Sequence, residues 1–182
     1  MSLEGGARPL RAPPGLAGLI TLRNGTMDQV SEPRRAWHYN PGQRRLRLAP
    51  NVGYDKPGTV SDGLRTNDQF DSYNGATDRY NWKLIGKKEM YIPYNENHFY
   101  RGKVDAIFSE HFPNPDQVRC ELHRVWVVEA NLLPGKRHVV PKRRIYLAED
   151  TCPADLGEGW DAQGQLWRSF CSFTVFNPQT PL

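Results

Sequence analysis

The side chains in this sequence that could do acid–base chemistry or bind a metal near neutral pH are its five histidines. They are His38, His98, His111, His123 and His138. No two of them form an H-x-x-x-H or H-E-x-x-H pattern, the spacing that brings two imidazoles to one zinc ion. His38 and His123 fall within predicted strands, where a histidine is more often a structural hydrogen-bonding group than a ligand. The histidines therefore predict no metal site and no catalytic base.

Carboxylates are the second candidate for chemistry, because four aspartates surround a predicted short helix. They are Asp62, Asp68, Asp71 and Asp78. Such a group could bind a calcium-like cation or act as an acid–base pair. Acids that favour a helix start and aspartates that favour turns explain the same residues without chemistry, and we favour this interpretation. The sequence has no nucleophile elbow, phosphate-binding loop or dinucleotide-binding glycine pattern, so we expect no enzyme, no catalytic residue and no cofactor.

The three cysteines, Cys120, Cys152 and Cys171, have no C-x-x-C spacing. A metal site built from cysteines alone is therefore not expected. Three thiols allow one disulfide and leave at least one thiol unpaired, and the sequence does not select the pair.

The positive charge of the chain is concentrated in two clusters. The formal net charge is +4, from 24 Lys and Arg against 20 Asp and Glu. Such clusters could contact nucleic acid, anionic lipid headgroups or the acidic face of another protein. We favour a simpler interpretation as solvated outer faces of edge strands, because exposure is the usual state of these residues. The first cluster is Arg34, Arg35, Arg44, Arg45 and Arg47, and the second is Lys136, Arg137, Lys142, Arg143 and Arg144.

Large aromatic rings supply much of the apolar material. Hydrophobic residues make up 38% of the chain, aromatic residues 11%, and the mean hydropathy is -0.70. Each ring can bury roughly 150–250 Å², so these values predict a small aromatic core with much polar loop. No apolar run approaches the roughly 20 residues that a membrane-spanning helix needs. The first residues also lack the apolar stretch and cleavage site of a signal peptide.

A Pro-Gly turn joins two predicted strands near the start of the chain. Residues 36–40 and 44–49 both alternate with period two, which is typical of a hairpin with one buried face. Trp37 and Tyr39 are predicted to share the inward face, and Arg47 is predicted to point outward.

Further strands and one short helix complete the predicted fold, which is a curved, open antiparallel sheet. The helix is predicted over residues 66–74, with Gln69 completing a capping box and Gly75 as its C′ glycine. Gly86 interrupts the longest strand and predicts a bulge or bend. The further strands are predicted over residues 16–23, at an open edge, and over 80–94, 121–132 and 139–148, with a last hairpin over 159–176.

The aromatic and apolar side chains on one face of these strands form the candidate ligand site. So little helix is predicted that a bound apolar ligand or a further segment must cover this face. Each residue taken singly is better explained by core packing, but the set as a whole favours a concave ligand-binding face. Its predicted members are Trp37, Tyr39, Trp82, Leu84, Met90, Ile92, Tyr94, Trp126 and Val128.

The function predicted from these features is non-enzymatic binding of a hydrophobic or lipid-like ligand. The alternative is a basic β-module that binds nucleic acid through Arg44, Arg45, Arg47 and the second basic cluster. Stacking on bases needs aromatic rings among the basic residues, whereas Trp37 and Tyr39 are predicted to face away from Arg45 and Arg47. We therefore favour the ligand-binding hypothesis and expect no nucleic-acid partner.

Three long stretches carry a family resemblance. They begin at Ala36, Glu121 and Trp160 and read AWHYNPGQRRLRLAPNVGYDKPGTVSDGLRTNDQFDSYNGATDRYNWKLIGKKEMYIPYN, ELHRVWVVEANLLPGKRHVVPKRRIYLAED and WDAQGQLWR. With them the chain resembles domain-of-unknown-function family 1329, Gram-negative envelope proteins related to the lipoprotein-sorting carriers LolA and LolB. The resemblance implies an incomplete half-barrel of antiparallel strands around a short helix, in the periplasm or at the outer membrane. It also implies holding or moving a lipid-like molecule, with envelope transport proteins as partners, and no catalytic residues.

The chain departs from the family pattern at both ends. Family members are longer and begin with an export signal, whereas this chain begins near the middle of the pattern. Residues 169–182 do not resemble the family's next strands. We therefore expect a truncated or frame-shifted member, in which a missing signal is no evidence against an envelope location. The predicted organisation is a flexible tail over residues 1–15, a single partial half-barrel domain over 16–168 and a divergent tail over 169–182.

Overall fold

Two open antiparallel sheets contain the strands of the computed structural model. Strands hold 45% and helices 12% of the described residues, and neither sheet closes on itself. The chain divides into two compact units, Met1–Tyr80 and Asn81–Leu182. The prediction of a mainly β, open antiparallel fold is confirmed, although the predicted domain over 16–168 is divided between the two units. The structure describes residues 2–9, of which only the backbone is described, and 17–49, 52–58, 61 and 63–175.

The first unit holds a four-stranded sheet. Its strands, in spatial order, are β1 (Ser2–Pro9), β2 (Ile20–Thr26), β3 (Arg35–Asn40) and β4 (Arg45–Ala49). The register places His38 opposite Thr21 and Arg47, and Trp37 opposite Leu22 and Leu48. Because side chains alternate along a strand, these two rows lie on opposite faces of the sheet.

The predicted hairpin between β3 and β4 is confirmed by their antiparallel pairing. Asn40 Oδ1 accepts hydrogen bonds from the backbone N–H groups of Gly42 at 2.9 Å and Gln43 at 3.3 Å. An asparagine that bonds to the backbone two residues further on favours a turn at this point. Arg44, with a φ of 50°, completes the turn before β4.

The N-terminal residues form a strand where the sequence predicted a flexible tail. β1 pairs with β2 from Pro9, opposite Ile20, to Ser2, opposite Thr26. β2 is therefore bonded on both sides and is not the open edge predicted for residues 16–23. Pairing uses backbone N–H and C=O groups, so a stretch without alternating side chains can still join a sheet. The rest of the predicted tail, residues 1 and 10–15, lies outside the described residues.

The helix predicted over residues 66–74 is much shorter in the structure. A 3₁₀ helix spans Asn67–Gln69, and the backbone N–H of Thr66 donates to Gln69 Oε1 at 2.8 Å, as the predicted capping box requires. Asp71 and Ser72 have φ angles of 49° and 67°, which end any helical path.

Gly75 is not the left-handed C′ glycine that the sequence predicted, because its φ is not positive. A Cβ at this position would lie 2.8 Å from Asp68 Cβ and 3.1 Å from Tyr73 Oη. Close packing therefore explains the glycine here. A second 3₁₀ helix, Thr77–Arg79, leads into the next strand.

A five-stranded sheet follows, with its strands in chain order. They are β5 (Tyr80–Pro93), β6 (Cys120–Leu132), β7 (Lys142–Ala148), β8 (Ala154–Trp160) and β9 (Leu166–Cys171). Two short helices, α1 (Asn97–Arg101) and α2 (Val104–Ile107), and a 3₁₀ helix at Pro115–Gln117 connect β5 to β6. In the described part of the chain no helix has the length and apolar character to cross a membrane.

The core of the second unit lies on the Val125 and Val127 face of β6. These side chains are 0% and 7% exposed, and Ile92 of β5 is 0% exposed. The alternation of residues in the sequence instead predicted Trp126 and Val128 on one concave face with Ile92. Alternation did not distinguish the two faces of β6, because apolar residues occupy both. The complete cluster is Ile92, Val125, Val127, Tyr146 and Ala148, with Met90, Tyr94 and Leu156 packed against it.

Strand β5 changes character at Gly86, where the sequence predicted a bulge or bend. Gly86 has a φ of 143°, a conformation that residues with a Cβ rarely adopt. Leu84, before the glycine, is 58% exposed, whereas Ile92, after it, is fully buried.

We expect Ile92→Ala to lower the free energy of unfolding by about 2–5 kcal/mol, because it leaves a cavity in the core. Leu84→Ala is the matched control on the same strand and should change that free energy by at most about 0.5 kcal/mol. Urea denaturation followed by circular dichroism measures both variants. Equal losses in the two variants would contradict the observed position of the core.

Candidate functional site

An open cavity of about 470 Å³ lies on one face of the four-stranded sheet in the first unit. Ligand sites in proteins are commonly concave and of roughly 300–1,000 Å³, so this volume suits a small molecule. The register of β2, β3 and β4 brings the residues of the sheet wall to one face. They are Thr21, Arg23, Ala36, His38, Arg47 and Ala49.

Residues 52–58 and 65–70 supply the second wall of the cavity. Two backbone hydrogen bonds join these two stretches: Gly58 N–H donates to Arg65 O at 2.9 Å, and Asn67 N–H donates to Lys56 O at 2.9 Å. An isolated antiparallel bridge pairs Pro57 with Thr66 between them. The contributions of this wall to the lining include Val52, Lys56, Pro57, Arg65, Thr66 and Phe70.

Positive charge dominates the lining of the cavity. Its described lining residues include five Lys and Arg and no Asp or Glu. Arg34 donates to the backbone carbonyl of Asn74 at 2.6 Å. The guanidinium groups of Arg23 and Arg65 lie 5.6 and 5.9 Å from the ring centroid of Phe70, within the range of cation–π contacts. The five cations are Arg23, Arg34, Arg47, Lys56 and Arg65.

His38 lies among these cations on the sheet wall. Its Nδ1 is 3.0 Å from Thr21 Oγ1. Burial lowers the pKa of His38, and the positive charges of Arg23 and Lys56 lower it further. The imidazole is therefore neutral at pH 7, chiefly because it is partly buried and secondly because cations lie near it.

Trp37 and Tyr39, two of the predicted ligand-binding residues, lie on the opposite face of the same sheet. Trp37 is paired across the strands with Leu22 and Leu48, and Tyr39 with Leu46. The three leucines are 40%, 60% and 66% exposed, in that order, while the two aromatic rings are half-buried. This face is therefore an apolar and aromatic surface that remains partly open within the first unit.

The other seven predicted residues lie in the second unit, six of them on its sheet and Tyr94 directly after β5, and they do not share one surface. Three of them pack in or against the core, namely Met90, Ile92 and Tyr94. Two lie on the opposite face of β6, namely Trp126 and Val128. The ring of Trp126 is covered by Lys87, whose Nζ is 4.1 Å from the ring centroid. The remaining two are the half-buried Trp82 and the exposed Leu84.

The second basic cluster predicted from the sequence has partners within the second unit. Arg144 Nη2 lies 2.8 Å and Lys142 Nζ 3.3 Å from Glu129 Oε2. These contacts, Arg144 above all, lower the pKa of Glu129 to about 2. Arg143 is 2% exposed, and its Nη2 lies 3.2 Å from His138 Nε2. The arrangement favours a structural role for these residues over contact with nucleic acid.

Sequence reasoning missed most of the cavity. Arg23, Lys56 and Arg65 belong to no charge cluster, so nothing local in the sequence groups them. Arg47 was predicted to point to solvent on the face away from Trp37. It does lie on that face, but the face lines the cavity. The alternation of β3 and β4 was the signal that could have identified this wall.

The aspartates near the short helix have structural partners. Asp68 is 1% exposed and accepts a hydrogen bond from the Thr66 hydroxyl. Asp78 accepts one from the Tyr54 hydroxyl at 2.9 Å. Asp62 lies outside the described residues. Within the described ranges, no three His, Cys, Asp or Glu side chains gather into a group that could hold a metal ion.

A buried carboxyl group in the second unit makes no hydrogen bond through either oxygen to the described part of the chain. Asp155 is 0% exposed and lies where the register between β7 and β8 shifts, beside the pairs of Tyr146 and Leu147. Burial raises the pKa of Asp155 to about 6; the negative charge of Asp150 adds to the shift, and His123 opposes it. Such bulges re-aim side chains, and this one directs a carboxyl group into the protein.

One protein-family match covers nearly the whole chain. The family described as "Protein of unknown function (DUF1329)" matches residues 6–182. The chain belongs to this family. The family prediction is thus confirmed, and the match extends through residues 169–182, the segment that was expected to depart from the family pattern.

Relatives of this DUF1329 chain include longer proteins. An uncharacterized protein of Pseudomonas aeruginosa is 54% identical over 160 residues, which are 86% of this chain and 35% of that protein. The chain therefore spans about a third of the length of this relative.

Two solved structures share the fold of the chain at low sequence identity. One is a Vibrio parahaemolyticus domain described as a candidate outer membrane lipoprotein-sorting protein, with a TM-score of 0.54 at 14% identity, covering 92% of this chain and 58% of that one. The other is a DUF1329 family protein from Desulfovibrio piger, with a TM-score of 0.51 at 15% identity, covering 88% and 53%.

Asp155 should make the protein less stable as the pH rises. Its pKa is about 6 in the folded chain and about 3.9 in an unfolded one, so ionisation is harder in the folded state. The contribution of Asp155 to the free energy of unfolding should therefore be most favourable below about pH 4 and become less favourable as the pH rises through 6, by up to about 3 kcal/mol. Asp155→Asn should remove this change.

Urea denaturation of the wild-type chain and of Asp155→Asn, from acidic to neutral pH, measures this difference. Asp116→Asn, at an exposed position, is the control and should follow the wild type. If the free energy of unfolding had the same pH dependence in the wild type and in Asp155→Asn, the raised pKa of Asp155 would be contradicted.

Proposed function

We propose that this chain is a non-enzymatic envelope module that holds a lipid-like, apolar or amphipathic ligand in the cavity of its four-stranded sheet. The observation that carries the proposal is the open cavity of about 470 Å³ on the His38 face of that sheet. Its lining combines apolar groups, including Leu19, Val52 and Phe70, with polar and charged ones. Concave sites of mixed lining are the usual places where proteins hold small ligands.

The family and the fold support a carrier role. The fold is shared with a domain described as a candidate outer membrane lipoprotein-sorting protein, and we propose the same kind of work for this chain. An envelope location and partners among envelope transport proteins are proposed on the same ground. Because the chain spans 35% of its Pseudomonas relative, the proposal is limited to ligand holding by the described units.

The partly open aromatic face of the same sheet is a second candidate for the ligand site. Trp37 and Tyr39 lie there beside leucines that are up to 66% exposed. An acyl chain that covered this face would gain about 25 cal/mol for each Å² of apolar surface removed from water. The two candidate surfaces lie on opposite sides of one sheet, so separate substitutions can distinguish them. Ligand binding by the seven predicted residues of the second unit remains a prediction.

Native mass spectrometry of the purified chain, followed by organic extraction, tests the proposal. We expect a co-purified lipid-like molecule on the wild-type chain. Ala49→Trp, on edge strand β4, puts a large ring into the cavity and should abolish retention. Trp37→Ala changes the opposite face and should keep the ligand. Circular dichroism and thermal melting of both variants check that each still folds.

The opposite pattern, with loss in Trp37→Ala and retention in Ala49→Trp, would assign the ligand to the aromatic face. A wild-type chain that carries no lipid and binds none when lipid is added would contradict the proposed function.

A further inference from the structure

The charge of the cavity restricts the chemistry of its occupant. Five Lys and Arg line it, and no Asp or Glu does so among the described lining residues. Two acids in the second wall of the cavity interact with other residues of the protein. Asp55 Oδ1 lies 3.5 Å from Arg79 Nη1, and Asp68 accepts a hydrogen bond from the Thr66 hydroxyl. A concave surface with charges of one sign concentrates the field and favours ligands of the opposite sign.

Packing holds several of these cations in place before any ligand arrives. Arg23 and Arg65 lie against the ring of Phe70, and Arg34 is bonded to the carbonyl of Asn74 at 2.6 Å. His38 on the sheet wall has a pKa that burial lowers and that the nearby cations Arg23 and Lys56 lower further. Cations partly removed from water attract an anion more strongly than fully solvated ones.

We propose that this cavity binds an amphiphile that has one acyl chain and an anionic headgroup, either a carboxylate or a phosphate. This inference rests on the proposed function and specifies its ligand class. In this proposal the lining residues Leu19, Val52 and Phe70 contact the acyl chain, and the exposed lining cations Arg47 and Lys56 contact the headgroup. Arginine binds carboxylate and phosphate oxygens in a matching fork geometry. A zwitterionic headgroup would instead bring a cation next to a lining whose described residues include no acid.

Nucleic acid offers the same phosphate chemistry but fits the cavity less well. Sequence-independent binding of single strands relies on aromatic rings on which successive bases stack. Phe70 is the one Phe, Tyr or Trp among the described lining residues, and its ring already contacts two guanidinium groups. The described lining residues thus offer cations and apolar groups to a lipid, but they do not include the several aromatic rings on which successive bases would stack.

Titration calorimetry with lipids of equal chain length, below their micelle concentrations, tests the headgroup. Lysophosphatidylglycerol and a fatty acid carry the anion, and lysophosphatidylcholine is the zwitterionic match. We expect the two anionic lipids to bind at least about tenfold more tightly than lysophosphatidylcholine. Inorganic phosphate and a short DNA oligonucleotide are titrated separately, to distinguish a free anion and nucleic acid from a lipid headgroup.

Two substitutions and one matched control locate the anion site. Arg47→Gln combined with Lys56→Gln should weaken lysophosphatidylglycerol binding by about tenfold and leave lysophosphatidylcholine binding nearly unchanged. Arg35→Gln removes an exposed charge from the Trp37 side of β3 and should leave both affinities unchanged. Thermal melting verifies that all variants fold.

Each outcome bears on a different part of the inference. Equal affinity for the anionic and zwitterionic lipids would overturn the headgroup preference and leave the proposed ligand-holding function standing. Phosphate or the oligonucleotide binding as tightly as lysophosphatidylglycerol would overturn the amphiphile. Loss of affinity in Arg35→Gln, with none in the double variant, would overturn the site. Failure of every lipid to bind would overturn the proposed function as well.

Discussion

The register of β3 between β2 and β4 is the constraint on which both surfaces of the first sheet depend. Side chains alternate with a period of two, so a slip of one residue would exchange Ala36 and His38 for Trp37 and Tyr39. The observed register keeps the rings on one side of the sheet and the cavity cations on the other. The side chain of Asn40 helps to hold this register, because it bonds two backbone N–H groups of the turn.

The second sheet combines an apolar core with buried acids. Ile92 and Val125 are fully buried, and so are the carboxyl-bearing residues Glu96 and Asp155. Glu96 keeps one oxygen bonded to the backbone N–H of Arg119 at 3.0 Å, and burial raises the pKa of both acids. Burying carboxyl groups costs free energy that apolar packing must offset. The stability of the core is therefore what keeps these groups inside the protein.

Cations play different parts in the two sheets. In the second sheet, Lys87 and Arg124 both pair with Glu149, and Arg144 pairs with Glu129. In the first sheet, the cations of the cavity line a surface to which no described acid contributes. This local imbalance, and not the net charge of +4, is what distinguishes the cavity from an ordinary basic surface.

The sequence by itself determined the mainly β class, the hairpin over residues 36–49 and the family, because alternation, turn residues and long matching stretches are properties of the chain itself. It did not determine the strand at Ser2–Pro9 or the core face of β6, since these depend on which backbone and which side chains meet. The cavity depends most on tertiary structure. Arg23, Lys56 and Arg65 are distant in sequence, and they meet through the pairing of β2 with β3 and the backbone bonds that join residues 56–58 to residues 65–67.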